Sequence, residues 1–338
     1  MIERVQFKFI RTAATVAAIL ALFVVMLGAY TRLTDAGLGC PDWPGCYGHM
    51  VLPSDQNELQ VAQGYYPQMP IETRKAWTEM AHRYAAGTLA ILIFFIAGSM
   101  FWQRLQGNKQ LGQLPLILLI LVLFQAVLGM WTVTLKLLPV VVMGHLLGGI
   151  AIFSFLSRLR LQLSAITPAN LPQWRWWIGV GAWIVFLQIA LGGWVSSNYA
   201  GIACIGFPQC NGQWLPTLHF SQGFNLFAPV GQNYQGGLLD NDIRMTIQYI
   251  HRLGAMITAV YILMLSSLCI LKCKERSLRL FAWLAVGLVM TQFTLGVVNV
   301  IYLLPLWVAV AHNGVAALLL ATMLMMLYLA HGRHSDAY

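Results

Sequence analysis

Charged residues are scarce in this sequence: Asp, Glu, Lys and Arg make up 9% of its 338 residues, while 59% are hydrophobic. Soluble domains contain about 25% charged residues, so the composition excludes an ordinary soluble protein. A helix needs about 20 apolar residues to cross the hydrocarbon core of a bilayer, and it must satisfy its own backbone hydrogen bonds there. The sequence therefore predicts an all-α membrane protein with eight transmembrane helices, at about residues 10–30, 82–103, 113–135, 139–160, 174–196, 249–271, 279–301 and 305–330.

Acidic residues are scarcer still, 11 against 20 Lys and Arg, and the net charge is +9. A basic protein can be a nucleic-acid binder, but here most basic residues lie in alternate connections between helices, which is the positive-inside pattern of a membrane protein. We therefore predict that both termini lie in the cytoplasm and that nucleic acid is not a partner. The residues that carry this pattern are Arg4, Lys8, Arg11, Arg104, Lys109, Arg158, Arg160, Arg175, Lys272, Lys274, Arg276, Arg279 and Arg333.

A small-residue cleavage site is missing after the first apolar run, which continues into Tyr30, Thr31 and Arg32. This argues against a cleaved signal peptide. The N-terminus also lacks the features of a mitochondrial presequence. We therefore expect a multi-pass protein of a bacterial inner (cytoplasmic) membrane.

The eight predicted helices read as two copies of one four-helix unit. Glu79-Met80-Ala81-His82-Arg83 opens the second helix, and Gln248-Tyr249-Ile250-His251-Arg252 opens the sixth. Because each unit has an even number of helices, both copies should face the same way, as parallel repeats. We predict a first unit at 1–165 and a second at 166–338. Further matched pairs are Gly28 with Gly192, Gln125 with Gln292, Gly129 with Gly296 and His145 with His312.

Each unit carries two histidines on facing helices, near the outer side of the membrane. Imidazoles that face each other in a helix bundle are typical haem axial ligands, so His82 with His145, and His251 with His312, are candidate ligands of haem iron. A single intramembrane histidine is often a hydrogen-bonded core residue or part of a proton relay, but recurrence at matched positions favours ligation. Zinc or copper would usually require more ligands than two histidines, and no Cys, Asp or Met obviously completes such a set.

The two copies differ where Glu79 in the first corresponds to Gln248 in the second. Glu79 lies three residues before His82 and so on the same helix face. A carboxylate beside a haem could accept a proton or stabilise developing positive charge, whereas Gln248 cannot ionise. We therefore predict that Glu79 is catalytic and that the second unit holds an electron-carrying or structural haem. The alternative is that Glu79 only pairs with a nearby arginine.

The two long outer loops, about 31–78 and about 197–248, are rich in aromatic residues, which can cover a site or anchor the chain at the membrane interface. The arginines next to the loops, Arg83 and Arg252, are candidates for binding haem propionates. Each loop also has two cysteines six positions apart, which can close a small structural disulfide on the oxidising side. The alternative is that the first pair is redox-active. The pairs are Cys40 with Cys46 and Cys204 with Cys210.

Taken in order along the chain, these residues resemble the haem A synthase family, membrane enzymes of cytochrome oxidase cofactor assembly. The similarity covers essentially the whole chain. It implies an oxidoreductase that converts haem O to haem A by oxidising a porphyrin methyl group to a formyl group, through an alcohol. It further implies that His82 and His145 flank the substrate haem O, with Glu79 close to the reacting methyl, and that His251 and His312 ligate a permanent haem b.

The resemblance also implies partners: a haem O synthase that hands over haem O, an electron acceptor that the sequence does not identify, and the lipid bilayer. It is compatible with a homo-oligomer. The main alternative is a di-haem b-type electron-transfer protein, similar to a quinol oxidoreductase, which needs no Glu79. A transporter built from parallel repeats is a second alternative, but it would have helices broken at mid-membrane, and here Gly and Pro cluster at helix ends.

Overall fold

The computed structural model describes residues 2–53, 55–106, 113–164, 166 and 168–332, so Lys109 and Arg333 lie outside the described residues. Within these ranges the secondary structure consists of α-helices and no strand. Eight of the helices are long and apolar enough to cross a membrane, which confirms the predicted all-α membrane class. The helices are α1 Ile2–Leu33, α2 Gln56–Tyr65, α3 Thr73–Leu105, α4 Leu114–Thr134, α5 Pro139–Gln162, α6 Pro172–Ser197, α7 Phe220–Gly223, α8 Asn241–Lys272, α9 Arg276–Ile301 and α10 Leu306–Leu329.

Three helices begin well before the predicted positions. Helix α1 begins at Ile2 instead of residue 10. Helix α3 begins at Thr73 instead of residue 82, and α8 begins at Asn241 instead of residue 249. The predicted starts lie where each apolar run begins. A helix can extend into polar sequence as long as one of its faces is buried. His82 and His251 therefore lie more than two turns inside their helices, and not in the first turn as predicted.

The two halves pack their helices in corresponding ways. In the first half, α1 contacts α3 and α5, and α4 contacts the same two helices; in the second, α6 and α9 each contact α8 and α10. Helices α5 and α10 contact each other between the halves. Left-handed backbone recurs at four matched pairs of positions: Asp35 and Tyr199, Tyr47 and Asn211, Lys136 and Leu303, and Leu137 and Leu304. These correspondences are expected of two copies; the division at 1–165 and 166–338 and the cytoplasmic termini stay predictions.

Both long loops lie at one end of the bundle, where α1 ends and α3 begins; we call this the long-loop end. The loop at 34–72 contains α2, and the loop at 198–240 contains α7. The second loop reaches the first half, because the Tyr234 backbone N–H donates to the Lys136 carbonyl at 3.0 Å. Some of its aromatic rings face outward, and Phe227 is 92% exposed.

A second link between the halves is made by Arg32 at the end of α1. Its Nη2 donates to the main-chain oxygen of Ser196 at 2.6 Å. Its guanidinium carbon lies 3.8 Å from the centre of the Tyr199 ring, and the Tyr199 hydroxyl donates to Asp35 at 3.0 Å. One cation thus joins the ends of α1 and α6.

Replacing Arg32 by Met should remove this link and leave the Ser196 carbonyl without its charged donor. We expect a loss of about 2 kcal/mol of stability, the usual range for a hydrogen bond to a charged group. Thermal unfolding of the purified protein in detergent measures it, with Arg74→Met at an exposed position as the matched control. Equal unfolding temperatures for the two variants would contradict the prediction.

Candidate functional site

The first histidine pair is formed by His82 of α3 and His145 of α5. The ring centroids are 6.3 Å apart and the ring planes are nearly perpendicular, at 79°. Two imidazoles on opposite sides of one metal ion have centroids about 6 Å apart, since each metal–nitrogen bond is about 2 Å long and a ring nitrogen is about 1 Å from the centroid. The observed separation therefore fits two ligands of one iron ion.

Each of the four predicted ligands lies against a glycine of a neighbouring helix. A Cβ atom added to Gly28 of α1 would lie 2.9 Å from Cε1 of His82, and one added to Gly192 of α6 would lie 3.1 Å from Cε1 of His251. The same contact occurs between Gly129 and His145 at 3.4 Å, and between Gly296 and His312 at 3.2 Å. Absence of a side chain at these glycines lets each ring pack directly on helix backbone.

The second pair, His251 of α8 and His312 of α10, has side-chain partners. Nε2 of Gln188 lies 3.0 Å from Nδ1 of His251 and donates to the His251 carbonyl at 2.9 Å. Nε2 of Gln292 lies 3.1 Å from Nε2 of His312. No motif in the sequence indicates Gln188. Its only signal is that it is a polar side chain inside an apolar helix.

Glu79 is buried beside the first pair, and only 4% of it is exposed. Its Oε1 accepts from Nη2 of Arg83 at 2.5 Å, and its Oε2 accepts from the backbone N–H of Cys40 at 2.9 Å. The carboxylate thus joins α3 to the first cysteine loop. Glu79 therefore forms an ion pair with an arginine, as the alternative interpretation of this residue predicted.

Both motif arginines bind the carbonyls of their cysteine loop. Arg83 donates to Asp42 at 3.0 Å and also to Gly45, and Arg252 donates to the matched carbonyls of Gly206 and Gln209, at 2.8 and 3.2 Å. Gln248, at the position of Glu79, is buried, and its Oε1 has no hydrogen-bond partner. Arg252 therefore binds its cysteine loop without a carboxylate at residue 248. The carboxylate of Glu79 is an additional feature of the first half.

Two disulfides close the predicted loops. The sulfur atoms of Cys40 and Cys46 are 2.03 Å apart, and those of Cys204 and Cys210 are 2.06 Å apart. Cys40 and Cys46 are fully buried, so a thiol of another molecule cannot reach their sulfurs. Near them, burial raises the pKa of Tyr47, as do the nearby charges of Glu72, Glu79 and Asp42. This tyrosine therefore stays a neutral hydrogen-bond donor.

The residues fit a haem in each half. Nδ1 of His82, His145 and His312 is buried without a hydrogen-bond partner, so protein groups do not already fix these three rings at that nitrogen. In the described ranges, no group of three or more His, Cys, Asp or Glu side chains could hold a metal ion. Haem requires only two axial ligands from the protein, and each half has two candidate histidines.

Comparison with known proteins relates this chain to one protein family. A sequence model of the COX15-CtaA family, described as cytochrome oxidase assembly protein, matches residues 11–324. The chain is 44% identical over 320 residues to a heme A synthase of Shewanella oneidensis, covering 93% of this chain and 94% of that protein. It is 30% identical to a heme A synthase of Caulobacter sp. strain K31, covering 91% and 92% of the two chains.

The glycine contacts can be tested at Gly28. Gly28→Val should push the His82 ring out of its position, because the new Cβ would lie 2.9 Å from the ring. We expect haem binding at the first pair to weaken by about 10-fold or more. The matched control is Gly98→Val on α3, where no atom lies within 4 Å of the added Cβ. Spectroscopic titration of purified protein with haem measures both variants, and equal affinities would refute the role of Gly28.

Proposed function

This chain belongs to the haem A synthase family, and we propose that it oxidises a methyl group of haem O to a formyl group in its first half. The relatives favour this activity over a di-haem electron-transfer protein. The observation that carries the proposal is the difference between two otherwise matched histidine pairs. Both pairs pack on glycines, but three residues before its first histidine the first pair has the buried carboxylate of Glu79, where the second has the buried amide of Gln248.

His82 and His145 are the proposed ligands of the substrate haem O. Their 6.3 Å separation supports this assignment. The Nδ1 atoms of both rings lack protein partners, so neither ring is held by a hydrogen bond at that nitrogen. In the second pair, His251 has a partner at Nδ1, which the matched His82 lacks.

Glu79 is the proposed catalytic residue. Oxidation of a methyl carbon releases protons and passes through states with positive charge on that carbon, and a buried carboxylate stabilises such charge strongly because water does not screen it. Arg83 and the Cys40 N–H hold the two carboxylate oxygens. They thereby orient the group one helical turn from His82. Gln248 keeps the shape of this side chain and lacks its charge.

His251 and His312 are the proposed ligands of a permanent haem b. A haem iron bound by two histidines changes its oxidation state easily and so can carry electrons away from the substrate. Arg252 has no acidic partner within salt-bridge distance in the part of the chain that the structure describes. Together with Arg83, it remains a candidate for binding haem propionates.

The proposed setting is a bacterial inner membrane, with both haem sites towards the periplasmic side. The eight apolar helices support a multi-pass membrane protein. We propose that haem O arrives from a haem O synthase, that electrons leave to a separate acceptor and that copies of this chain can associate. Because Cys40 and Cys46 are fully buried, we propose that this disulfide is a structural cross-link and not an electron relay.

Haem extraction tests the proposed activity. Acid extraction of the purified protein, followed by chromatography and mass detection, should yield haem b together with haem O, haem A or an oxygenated intermediate. His251→Ala should lose the haem b. Haem b as the sole pigment, even when haem O is produced in the same cells, would instead favour the di-haem electron carrier.

Two substitutions separate the catalytic role of Glu79 from its structural one. Glu79→Gln keeps an oxygen that can accept from the Cys40 N–H, so haem binding should persist while haem O or an alcohol intermediate accumulates. We expect the yield of haem A to fall by about 100-fold or more, as for loss of an electrostatic stabiliser of a transition state.

The matched variant is Arg83→Gln, which breaks the ion pair and retains the carboxylate. It should still convert haem O, although haem binding can weaken. If Arg83→Gln stopped conversion as completely as Glu79→Gln does, the ion pair and not the carboxylate chemistry would be the essential element. Normal haem A yield from Glu79→Gln would exclude a catalytic role.

A further inference from the structure

We infer that Gln188 is a positioning residue that orients His251 and makes the second half retain its haem, whereas the first half has no equivalent and exchanges its haem. This inference rests on the proposed function, in which the second haem is permanent and the first is a substrate. Gln188 lies on α6, 63 residues from His251 in sequence. It is one helical turn before Gly192, the glycine on which the His251 ring packs.

Gln188 contacts both the ring and the backbone of the histidine. Its carboxamide nitrogen lies 3.0 Å from Nδ1 and 2.9 Å from the main-chain oxygen of His251. The ring is thus held at Cε1 by Gly192 and at Nδ1 by Gln188. His82, the matched residue, packs on Gly28 in the same way, but its Nδ1 has no partner.

The facing helix, α8, leaves space for the side chain of Gln188. A Cβ added to Gly254 of α8 would lie 2.3 Å from Oε1 of Gln188, so the carboxamide would have to move if residue 254 carried a side chain. In the first half the matched positions hold Val24 and Ala85. The two halves therefore differ by a paired exchange, a long amide opposite glycine in one and a short apolar side chain opposite alanine in the other.

A partner at Nδ1 is what a histidine ligand of iron requires. Metal-bound histidines usually donate their second ring N–H to a neighbouring group, which sets the ring orientation and raises the basicity of the bound nitrogen. In the structure Nε2 of Gln188 faces Nδ1 and donates to the His251 carbonyl, and Oε1 has no hydrogen-bond partner. Rotation about the last side-chain bond exchanges the two ends of the carboxamide; Oε1 then accepts from Nδ1–H of an iron-bound ring, and the hydrogen bond to the carbonyl is given up. Loss of such a partner typically weakens metal binding about 10–100-fold.

The experiment compares haem loss from full-length proteins purified with haem bound. The variants are Gln188→Val, the double variant Gln188→Val with Gly254→Ala, and the reciprocal Val24→Gln with Ala85→Gly. The first double variant gives the second half the residues of the first half and fills the space that Gln188 leaves. Transfer of haem b to excess apomyoglobin, followed by absorbance, gives the rate of loss.

Both variants at Gln188 should lose haem b at least about 10-fold faster than the wild-type protein does. Their low-spin ferric electron paramagnetic resonance signal should shift, and the reduction potential of this haem should rise, because a less basic imidazole stabilises ferric iron less. The reciprocal variant should slow the release of haem from the first half. A merely structural role of Gln188 would not produce these opposite effects in the two halves.

Two results would overturn the inference, and they are distinguishable. Wild-type loss rate and unchanged spectrum in both Gln188 variants would refute the role of Gln188 alone. A wild-type protein without haem b, or one whose haem b survives His251→Ala, would refute the assignment of the second half and the inference with it.

Discussion

The contact between each histidine ring and a glycine of the neighbouring helix is the constraint on which the site depends. Helices in a bilayer gain no hydrophobic energy from association, so close packing of small residues against a neighbour has to hold them together. At four matched places that neighbour is an imidazole ring. The helix spacing that stabilises each half therefore also sets the position of its histidines. In the first half it brings the rings of α3 and α5 to 6.3 Å.

On this shared framework, a few substitutions make the halves chemically different. Glu79 adds a buried negative charge to the first half, and Gln248 leaves the second half without one. Gln188 adds a hydrogen-bonding group to a histidine of the second half, where the first half has Val24. Each change alters one polar group and leaves the helix packing intact. Duplication followed by such changes can separate a reacting site from an electron-carrying one within a single fold.

The long-loop end connects the site to the rest of the molecule. In each half an arginine of the motif binds the carbonyls of a disulfide-closed loop, so the loop and the first histidine are parts of one rigid unit. Arg32 and the 198–240 loop then join the two halves at this same end. The relative position of the two histidine pairs thus depends on these contacts as well as on the packing of α5 against α10.

The sequence by itself determined the class of the fold, the number of candidate membrane helices in the described ranges and the recurrence of four histidines at matched positions, because apolar length and repeated motifs are properties of a linear chain. It misplaced the starts of α1, α3 and α8, where polar residues continue a helix whose buried face cannot be recognised before its neighbours are known. Only the tertiary structure decided which groups meet. The partner of Glu79 at Cys40 is 39 residues away, and Gln188 is 63 residues from His251. Contacts of this kind arise from the packing of helices that are distant in sequence, and no local pattern encodes them.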